Sequence, residues 1–320
     1  MECRHLRRMR VQVGLLLAII VVGVGGAGTA SGAFLTSGVL GSESIGGESR
    51  HQICSPTLGH EPPGRTPEVF APELLSRSGH PLHGALAISP AGDRLCWSVL
   101  PPAIICTHCR DGDWTEPEPL PLPGRGVQAP AFSPDGHRLY FQAAGSGGFG
   151  SLDIWWVDLR RGDWTTAVNI GRPVNSPGVE GQPTLTEAGE LFYSGSMAGV
   201  EYGRGVFHAL PVDGGYGAPQ ALGDAVNTPG IDFYPFVTVD GGTLLFASNR
   251  GRTGEELAIH VSYRTPEGGW TEPVDVHPFM DFPRAARFPS ISPDGRFLFF
   301  WSEGKIWWVD SGVLPKRGVK

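Results

Sequence analysis

The chain has little positive charge, and no cluster of Lys or Arg occurs beyond its N-terminus. Its 320 residues include 25 basic and 32 acidic ones, which gives a formal net charge of −7. Proteins that bind nucleic acid usually present a basic patch or stripe. The composition therefore argues against a nucleic-acid partner.

Recognisable catalytic and metal-binding motifs are also missing. The nearest approach to a Gly-x-Ser-x-Gly pattern, at residues 195–199, has its Ser misplaced. The glycine-rich stretch at 145–150 joins two strand-like runs instead of preceding a helix, so it is interpreted as a loop. Residues 106–109 have the spacing of half a zinc site without the other half, and the His residues show no ligand spacing. The sequence predicts no catalytic residue, no metal and no cofactor.

Only one long hydrophobic run is present, and it lies at the N-terminus. Four arginines in the first ten residues precede an uncharged apolar stretch that begins at Val11 and ends in small residues. This order is typical of a signal peptide. We therefore expect residues 1–33 to be a signal peptide and the protein to be exported, periplasmic or extracellular. The alternative is an inner-membrane anchor formed by residues 11–30, which would be the protein's one attachment to a membrane.

The sequence does contain a short motif that recurs five times. An apolar strand leads into a turn of the Ser-Pro-Asp-Gly kind, and a second strand rich in aromatics follows. The turn glycines lie 44, 53, 52 and 54 residues apart, at Gly92, Gly136, Gly189, Gly241 and Gly295. A second marker, an aromatic that opens a fourth strand-like run, keeps a similar period at Trp114, Trp164, Tyr216 and Trp270. A period near fifty residues is typical of radial repeat arrays.

Each unit carries four strand-like runs, except the last, which stops at Asp310 without a fourth. A ring left open there would expose an edge strand, and residues 66–75 resemble the missing strand. We therefore predict an all-β protein, a five-bladed β-propeller of four-stranded antiparallel blades that is closed by an N-terminal strand. Six blades, the alternative, would require another unit within residues 34–65, which are rich in Gly, Ser and Pro.

The predicted organisation follows from this count. Residues 34–65 are expected to form a flexible tether, residues 66–310 the propeller and residues 311–320 a C-terminal tail. Cys96 and Cys106 fall in neighbouring strands of the first unit, and an exported chain permits disulfides. The sequence predicts that these two cysteines can bridge, with Cα atoms closer than about 7 Å; buried thiols are the alternative.

Several of the repeated phrases point to a known family. Ser133–Phe141 and Ser292–Phe300 both read Ser-Pro-Asp-Gly-x-x-Leu-(Tyr/Phe)-Phe. With Asp153-Ile-Trp-Trp-Val-Asp and Ala247-Ser-Asn-Arg250, they resemble the WD40-like propeller repeat of the TolB type, over about residues 66–310. The resemblance implies a β-propeller exported from a bacterial cytoplasm. It does not imply one activity, because unrelated functions share this fold.

Four polar residues are candidates for a binding site at the mouth of the channel. Glu180 and Asp232 lie nine residues before their turn glycines, where the innermost strand begins, and each follows a matching stretch that contains Asn175 or Asn227. Two carboxylates and two carboxamides around one mouth could hold a cation or a sugar, or supply an acid/base pair. The alternative is that these side chains shape the inter-blade loops by binding backbone amides.

A second group belongs to the loops between the second and third strands of the blades. These residues are Asp153, Asn249 and Arg250. They are interpreted as structural, and Arg250 is expected to pair with an acid of a neighbouring blade.

The leading function hypothesis is a non-enzymatic binding or scaffold module for a protein or glycan partner in the cell envelope, expected to be monomeric. A rigid ring with variable loops is suited to binding. The alternative is an enzyme resembling five-bladed glycoside hydrolases, with carboxylates from several blades meeting in the channel. Three of the five equivalent positions, His83, Val127 and Ala286, are not acidic, which counts against that alternative.

Overall fold

The structure is a computed structural model that describes residues 60–196, 205–250, 256–282 and 285–318. The expected leader at 1–33 and most of the expected tether, with Cys54, lie outside the described residues. Within the described part of the chain, no helix has both the length and the apolar character that crossing a membrane requires.

The described strands form five antiparallel sheets, each one blade, and a separate two-stranded hairpin. Apart from one N-terminal strand in the last blade, the strands of a blade follow one another along the chain. The chain enters through β1 (Glu68–Val69) and the helix α1 (Pro72–Ser76). The first blade contains β2 (Leu82–Ile88), β3 (Arg94–Val99), β4 (Ala103–Arg110), β5 (Asp113–Trp114) and β6 (Glu118–Pro119). The second contains β7 (Arg125–Phe132), β8 (Arg138–Ala144), β9 (Asp153–Arg160), β10 (Asp163–Trp164) and β11 (Val168–Asn169).

The remaining blades follow the same plan. The third contains β12 (Val179–Leu185), β13 (Leu191–Ser196), β14 (Gly205–Ala209), a side hairpin of β15 (Pro211–Val212) and β16 (Gly215–Tyr216), and β17 (Gln220–Ala221). The fourth contains β18 (Asp232–Val237), β19 (Thr243–Ser248), β20 (Ala258–Tyr263) and β21 (Val274–Asp275). The fifth contains β22 (Arg287–Ile291), β23 (Phe297–Ser302) and β24 (Lys305–Asp310), and short 3-10 helices span His277–Phe279 and Ser311–Val313.

The repeated turns determine where each inner strand reverses into the second strand. In the second blade, the Ser133 carbonyl accepts a hydrogen bond from Gly136 N at 2.8 Å, and the Ser133 hydroxyl accepts one from Arg138 N at 3.0 Å. All five turn glycines have φ between 70° and 81°. Because this left-handed region disfavours side chains with a Cβ, glycine recurs at this position.

The N-terminal strand closes the ring, as the sequence predicts. β1 pairs antiparallel with β24, with Glu68 opposite Trp308. Phe70, the next residue along, is fully buried, and its ring centroid lies 4.9 Å from that of Phe299. The closing segment therefore contributes both an outer strand and a core side chain to the fifth blade.

The closing strand is shorter than the segment 66–75 expected for it. Ala71 has a φ of 40°, which turns the chain away from the sheet, and Pro72 then begins α1. Proline has no N–H for the strand ladder and favours the first turn of a helix. Contacts also start before residue 66, because Asp310 N donates to the Gly64 carbonyl at 3.1 Å.

Each interface between neighbouring blades has its own apolar cluster. Trp97 of β3 packs with Phe299 of β23 between the first and fifth blades, while Phe192 of β13 packs with Phe246 of β19 between the third and fourth. Second strands are apolar on both faces because each face meets a different blade.

Two smaller features complete the frame. Cys96 and Cys106 form a disulfide with Cα atoms 4.2 Å apart, which confirms the predicted pairing. Beyond β24, the segment expected to be a tail packs on the propeller. Val313 is 1% exposed, the Tyr263 hydroxyl donates to the Pro315 carbonyl, and Arg317 donates to the Arg264 carbonyl at 3.0 Å.

Candidate functional site

The first pair of candidate residues is buried in the loop that leads into the third blade. Glu180 is 2% exposed; its carboxylate accepts hydrogen bonds from Ser176 N at 3.0 Å and from the Ser176 hydroxyl. Burial raises the pKa of Glu180, against the lowering effect of the Ser176 bonds. The side-chain amide of Asn175 accepts a hydrogen bond from Ile154 N of β9 and donates one to the Ile154 carbonyl, each at 2.9 Å.

The second pair has the same arrangement one blade further on. Asp232 is fully buried; it accepts from Thr228 N at 2.6 Å, from the Ser248 hydroxyl at 2.6 Å and from Arg250 Nη2 at 3.0 Å. Asn227 Oδ1 accepts from Val206 N at 2.8 Å. Arg250 therefore pairs with an acid of its own blade, and the expectation of a partner on a neighbouring blade is wrong.

The other loop residues also bind backbone groups. Asp153 accepts from Phe149 N at 2.7 Å and from Gly150 N at 3.0 Å, so it holds the glycine-rich loop. Asn249 Oδ1 accepts from Ile231 N at 2.8 Å. These contacts are those expected of the structural role that the sequence indicated for Asp153 and Asn249. Among the described residues, no group of three or more His, Cys, Asp or Glu is arranged to hold a metal ion.

The double change Glu180→Gln with Asp232→Asn is expected to lower stability by about 1–3 kcal/mol per carboxylate, because amide N–H groups would face the loop donors. Denaturant unfolding of the purified protein measures this, with Glu118→Gln on an exposed outer strand as the control. Unchanged stability together with loss of partner binding would contradict the structural interpretation.

A cavity that the sequence analysis missed lies on the axis of the ring. It has a volume of about 270 Å³. Its wall is made by one segment from the inner strand of each blade and by turn residues. The segments are residues 85–88, 129–132, 182–185, 234–237 and 288–291, and the turn residues are Pro90, Ser133, Pro134, Val239 and Pro293. We call this cavity the cup. Among the residues that the structure describes, no Asp, Glu, Lys, Arg or His lines the cup, and Tyr234 is the one ionisable side chain in its wall.

The shape of the cup depends on an irregularity repeated in all five inner strands. Each strand breaks register at a residue with positive φ, namely Gly84 (118°), Ala129 (56°), Gln182 (49°), Tyr234 (58°) and Phe288 (53°). Bulky residues rarely adopt this conformation, and such strain concentrates at functional sites. Proline follows four of the five positions and disfavours the right-handed helical region for the residue before it. This X-Pro pair lies six residues before the turn glycine in four of the units, but it does not by itself specify a positive φ.

The bulges place large side chains in the wall of the cup. The rings of Tyr234 and Phe288, from neighbouring blades, have centroids 4.0 Å apart. Gln182 Nε2 donates to Gln142 Oε1 at 2.7 Å, whereas Gln182 Oε1 is buried and has no hydrogen-bond partner among the described residues. Ser133, Thr184, Tyr234 and Ser290 are further polar residues of the wall. A mainly apolar wall with a small number of polar groups is the pattern of a ligand pocket.

The turns that follow the inner strands are acidic. Each of the five turns carries one exposed carboxylate, at Asp93, Asp135, Glu187, Asp240 and Asp294. We call these five residues the acidic rim. Hydrogen bonds from the Ser133 hydroxyl and His137 N lower the pKa of Asp135, and bonds from Thr238 and Gly242 N do the same for Asp240. In the part of the chain that the structure describes, no ion pair includes a rim carboxylate.

Comparison with known proteins yields matches only among solved structures. No protein-family model and no curated protein sequence matches the chain. TolB from Acinetobacter baumannii is 15% identical with a TM-score of 0.46, over 72% of this chain and 54% of TolB, so the chain spans about half of that protein. A thermostable family-43 glycoside hydrolase is 13% identical with a TM-score of 0.49, over 78% of this chain and 90% of the hydrolase. A gluconolactonase from Xanthomonas campestris is 13% identical with a TM-score of 0.45, over 78% and 97%.

None of these similarities decides an activity. The largest of the three TM-scores is 0.49, and the five-bladed fold is established by the sheets of this chain itself.

Proposed function

We propose that the protein is an exported, non-enzymatic binding module of the cell envelope and that the cup is where it binds a protein partner. The observation that carries this proposal is the composition of the cup, to which all five blades contribute and which contains no charged side chain. Such a wall favours an apolar group over a sugar, whose hydroxyls need several polar partners.

The disulfide supports the exported part of the proposal. Cys96–Cys106 lies in the first blade with Cys96 fully buried. Disulfides persist in oxidising compartments and are rare in the cytosol. The cysteine pair and the leader-like N-terminus therefore favour the same location, periplasmic or extracellular.

The glycosidase alternative depends on carboxylates that converge on substrate. Glu180 and Asp232, its two candidates, are buried, and each accepts hydrogen bonds from the loop before its own strand. The cup itself contains no carboxylate. These observations favour binding over hydrolysis.

Filling the cup is expected to abolish partner binding and leave the fold intact. Ala131→Phe and Ala85→Phe each place a ring in the cup, whereas Ala221→Phe places one on an exposed outer strand. In a pull-down from envelope extract, a specific partner should bind the wild type and Ala221→Phe but be reduced about tenfold or more by either cup variant. Thermal melts verify folding.

Equal retention of that partner by all four proteins would contradict the proposal. Hydrolysis of aryl glycosides by the wild type that is lost in Glu180→Gln would instead support the enzyme.

A further inference from the structure

The channel has a second end, on the side of the five bulges that faces away from the cup. Each inner strand begins there, and none of the residues directly before the bulges lines the cup. Two large side chains of second strands lie beside them, opposite two of these residues in the ladders. We call this group of side chains the far mouth; its members are His83, Gln128, Gln142, Arg287 and Trp301.

We propose that the far mouth is a second binding site and that its ligand is a small aromatic carboxylate. This site goes beyond the proposed function, because it is separate from the cup and requires no protein partner. It combines unpartnered hydrogen-bond donors with aromatic rings.

Strand pairing and side-chain contacts connect the members of the far mouth. Trp301 is opposite Arg287 in the ladder between β22 and β23, and its ring centroid lies 5.6 Å from that of His83. His83 Nδ1 lies 3.1 Å from Gln128 Nε2, and Gln128 is opposite Gln142 between β7 and β8. Opposed residues of a ladder share one face of the sheet. The fifth, first and second blades therefore present one row of side chains, most of them half-buried and within reach of solvent.

Gln142 supplies a donor that has no partner. The residue is 5% exposed, and its Oε1 accepts from Gln182 Nε2, but its own Nε2 donates to no described residue. This Nε2 is not fully enclosed either, since the buried side-chain atoms without a partner in the described residues belong to Trp97, Trp114 and Gln182. A Cβ at Gly181, the residue before the third bulge, would collide with the Gln142 side chain. Glycine at this position therefore leaves the room that the amide occupies.

His83 and Arg287 add two further donors. The amide nitrogen of Gln128 can only donate, so His83 Nδ1 accepts and the neutral imidazole carries its proton on Nε2. Arg287 is half-buried and makes no hydrogen bond or ion pair within the described part of the chain. A guanidinium with free N–H groups can bind a carboxylate through two parallel hydrogen bonds. Unpartnered donors, one of them charged, favour an anionic acceptor over a neutral ligand.

The two acids at the start of the inner strands do not oppose an anion. Asp232 is paired with Arg250 at 3.0 Å. Burial raises the pKa of Glu180, which favours its neutral form, and its oxygens already accept from Ser176. Neither carboxylate is free to repel a ligand at the far mouth.

Aromatic rings complete the site. The ring centroid of Phe288 lies 6.4 Å from that of Trp301 at an interplanar angle of 89°, and 6.2 Å from that of His83 at 66°. A planar aromatic ligand can add a further edge or offset contact to such a group. A sugar acid would instead bring several hydroxyls, which lose water without enough polar partners here. One flat apolar ring with one carboxylate therefore matches the site.

Titration calorimetry of the purified protein with 1-naphthoate tests the proposal. The comparison ligands are 1-naphthamide, which has the same rings without the charge, cyclohexanecarboxylate, which has the charge without an aromatic ring, and glucuronate. At low ionic strength, 1-naphthoate should bind about tenfold more tightly than each of these, because each lacks the charge-assisted bonds or the aromatic contacts. Absence of saturable 1-naphthoate binding, or equal binding of 1-naphthamide, would overturn the proposal.

Matched variants assign the binding to residues. Arg287→Gln should weaken 1-naphthoate about tenfold and leave 1-naphthamide unchanged, a difference that a general loss of structure would not produce. Arg110→Gln is the control, because it removes the same charge from an exposed residue at the turn end of β4. Arg287→Lys keeps the charge without the paired N–H groups and should fall between wild type and Arg287→Gln. His83→Phe keeps a ring but removes the Nε2 donor, and it should also weaken 1-naphthoate alone.

The outcomes distinguish the far mouth from the cup. If Arg110→Gln weakens 1-naphthoate as much as Arg287→Gln does, the binding reflects net charge and the proposal is wrong. If Ala131→Phe abolishes 1-naphthoate binding and Arg287→Gln does not, the ligand occupies the cup and the far mouth is not a site. Neither result affects the proposed function, since Arg287→Gln should retain the protein partner as the wild type does.

Discussion

Deleting residues 34–76 is expected to leave a protein that does not fold cooperatively. The deletion removes β1, which is the outer strand of the fifth blade, and with it the buried side chains of Phe70 and Leu75. Loss of a buried Phe or Leu side chain costs about 2–5 kcal/mol each. Their sum is comparable to the whole stability of a typical domain, about 5–15 kcal/mol, and the exposed edge of β24 adds a risk of aggregation.

Two further variants make the result specific. Deleting only residues 34–49 keeps the closing segment and should leave the denaturant midpoint unchanged. Phe70→Ala should cost about 3–5 kcal/mol, whereas Phe149→Ala, at a residue that is 40% exposed, should change stability by about 0.5 kcal/mol or less. Equal unfolding midpoints for the two deletions would refute closure by the N-terminal strand.

Replacing Glu190 with Gln is expected to destabilise the joint between the third and fourth blades by about 3 kcal/mol, because a cation is left with no carboxylate to face. Arg264 donates to both oxygens of Glu190 at 2.8 Å, and His208 Nδ1 lies 2.7 Å from Oε1. Since Glu190 belongs to one blade and Arg264 follows the last long strand of the next, this contact ties neighbouring blades together. Glu187→Gln, an exposed change in the preceding turn, is the matched control.

The pH dependence of stability is a second test of this contact. Burial would raise the pKa of Glu190, but hydrogen bonds from His208 and Arg264 and the charge of Arg264 lower it from 4.5 to about 2. A depressed carboxyl pKa stabilises the fold above the unfolded value, and this contribution is lost as the pH falls from about 5 to 2. The stability difference between wild type and Glu190→Gln should therefore be largest at neutral pH and shrink across that range. A difference that does not vary with pH would show that the charge of Glu190 is unimportant.

The Asn and acid residues of the inter-blade loops could be located from the sequence, but their role could not. The matching stretches before Glu180 and Asp232 are visible in the sequence. In both, an Asn side chain binds the backbone of the preceding blade and a carboxylate binds the loop before its own strand. Whether such a carboxylate faces the channel or its own loop depends on backbone geometry that the motif does not encode. The choice between the binding and the structural interpretation therefore required the structure.

The cup was hidden from the sequence for a related reason. Its lining segments, such as 129–132 and 234–237, read as ordinary apolar strands, and their spacing of about one repeat says only that they are equivalent. The left-handed bulges at Ala129 and Tyr234 occur at residues that do not favour positive φ. Local preference could not predict them, because hydrogen bonds that they donate to the preceding blade hold them, as in the 2.9 Å bond from Tyr234 N to the Ser194 hydroxyl.

The sequence by itself determined the number of blades, the position of each turn and the need for a closing strand, because these follow from a period, from the conformational demands of glycine and from strand count. It also placed Cys96 and Cys106 on adjacent strands. The tertiary structure alone decided that the closing strand is two residues long, that the polar candidates are buried and that all five blades form a mainly apolar cup on the axis. These features arise where five blades meet, and a surface that is shared among distant segments has no signature in any one of them.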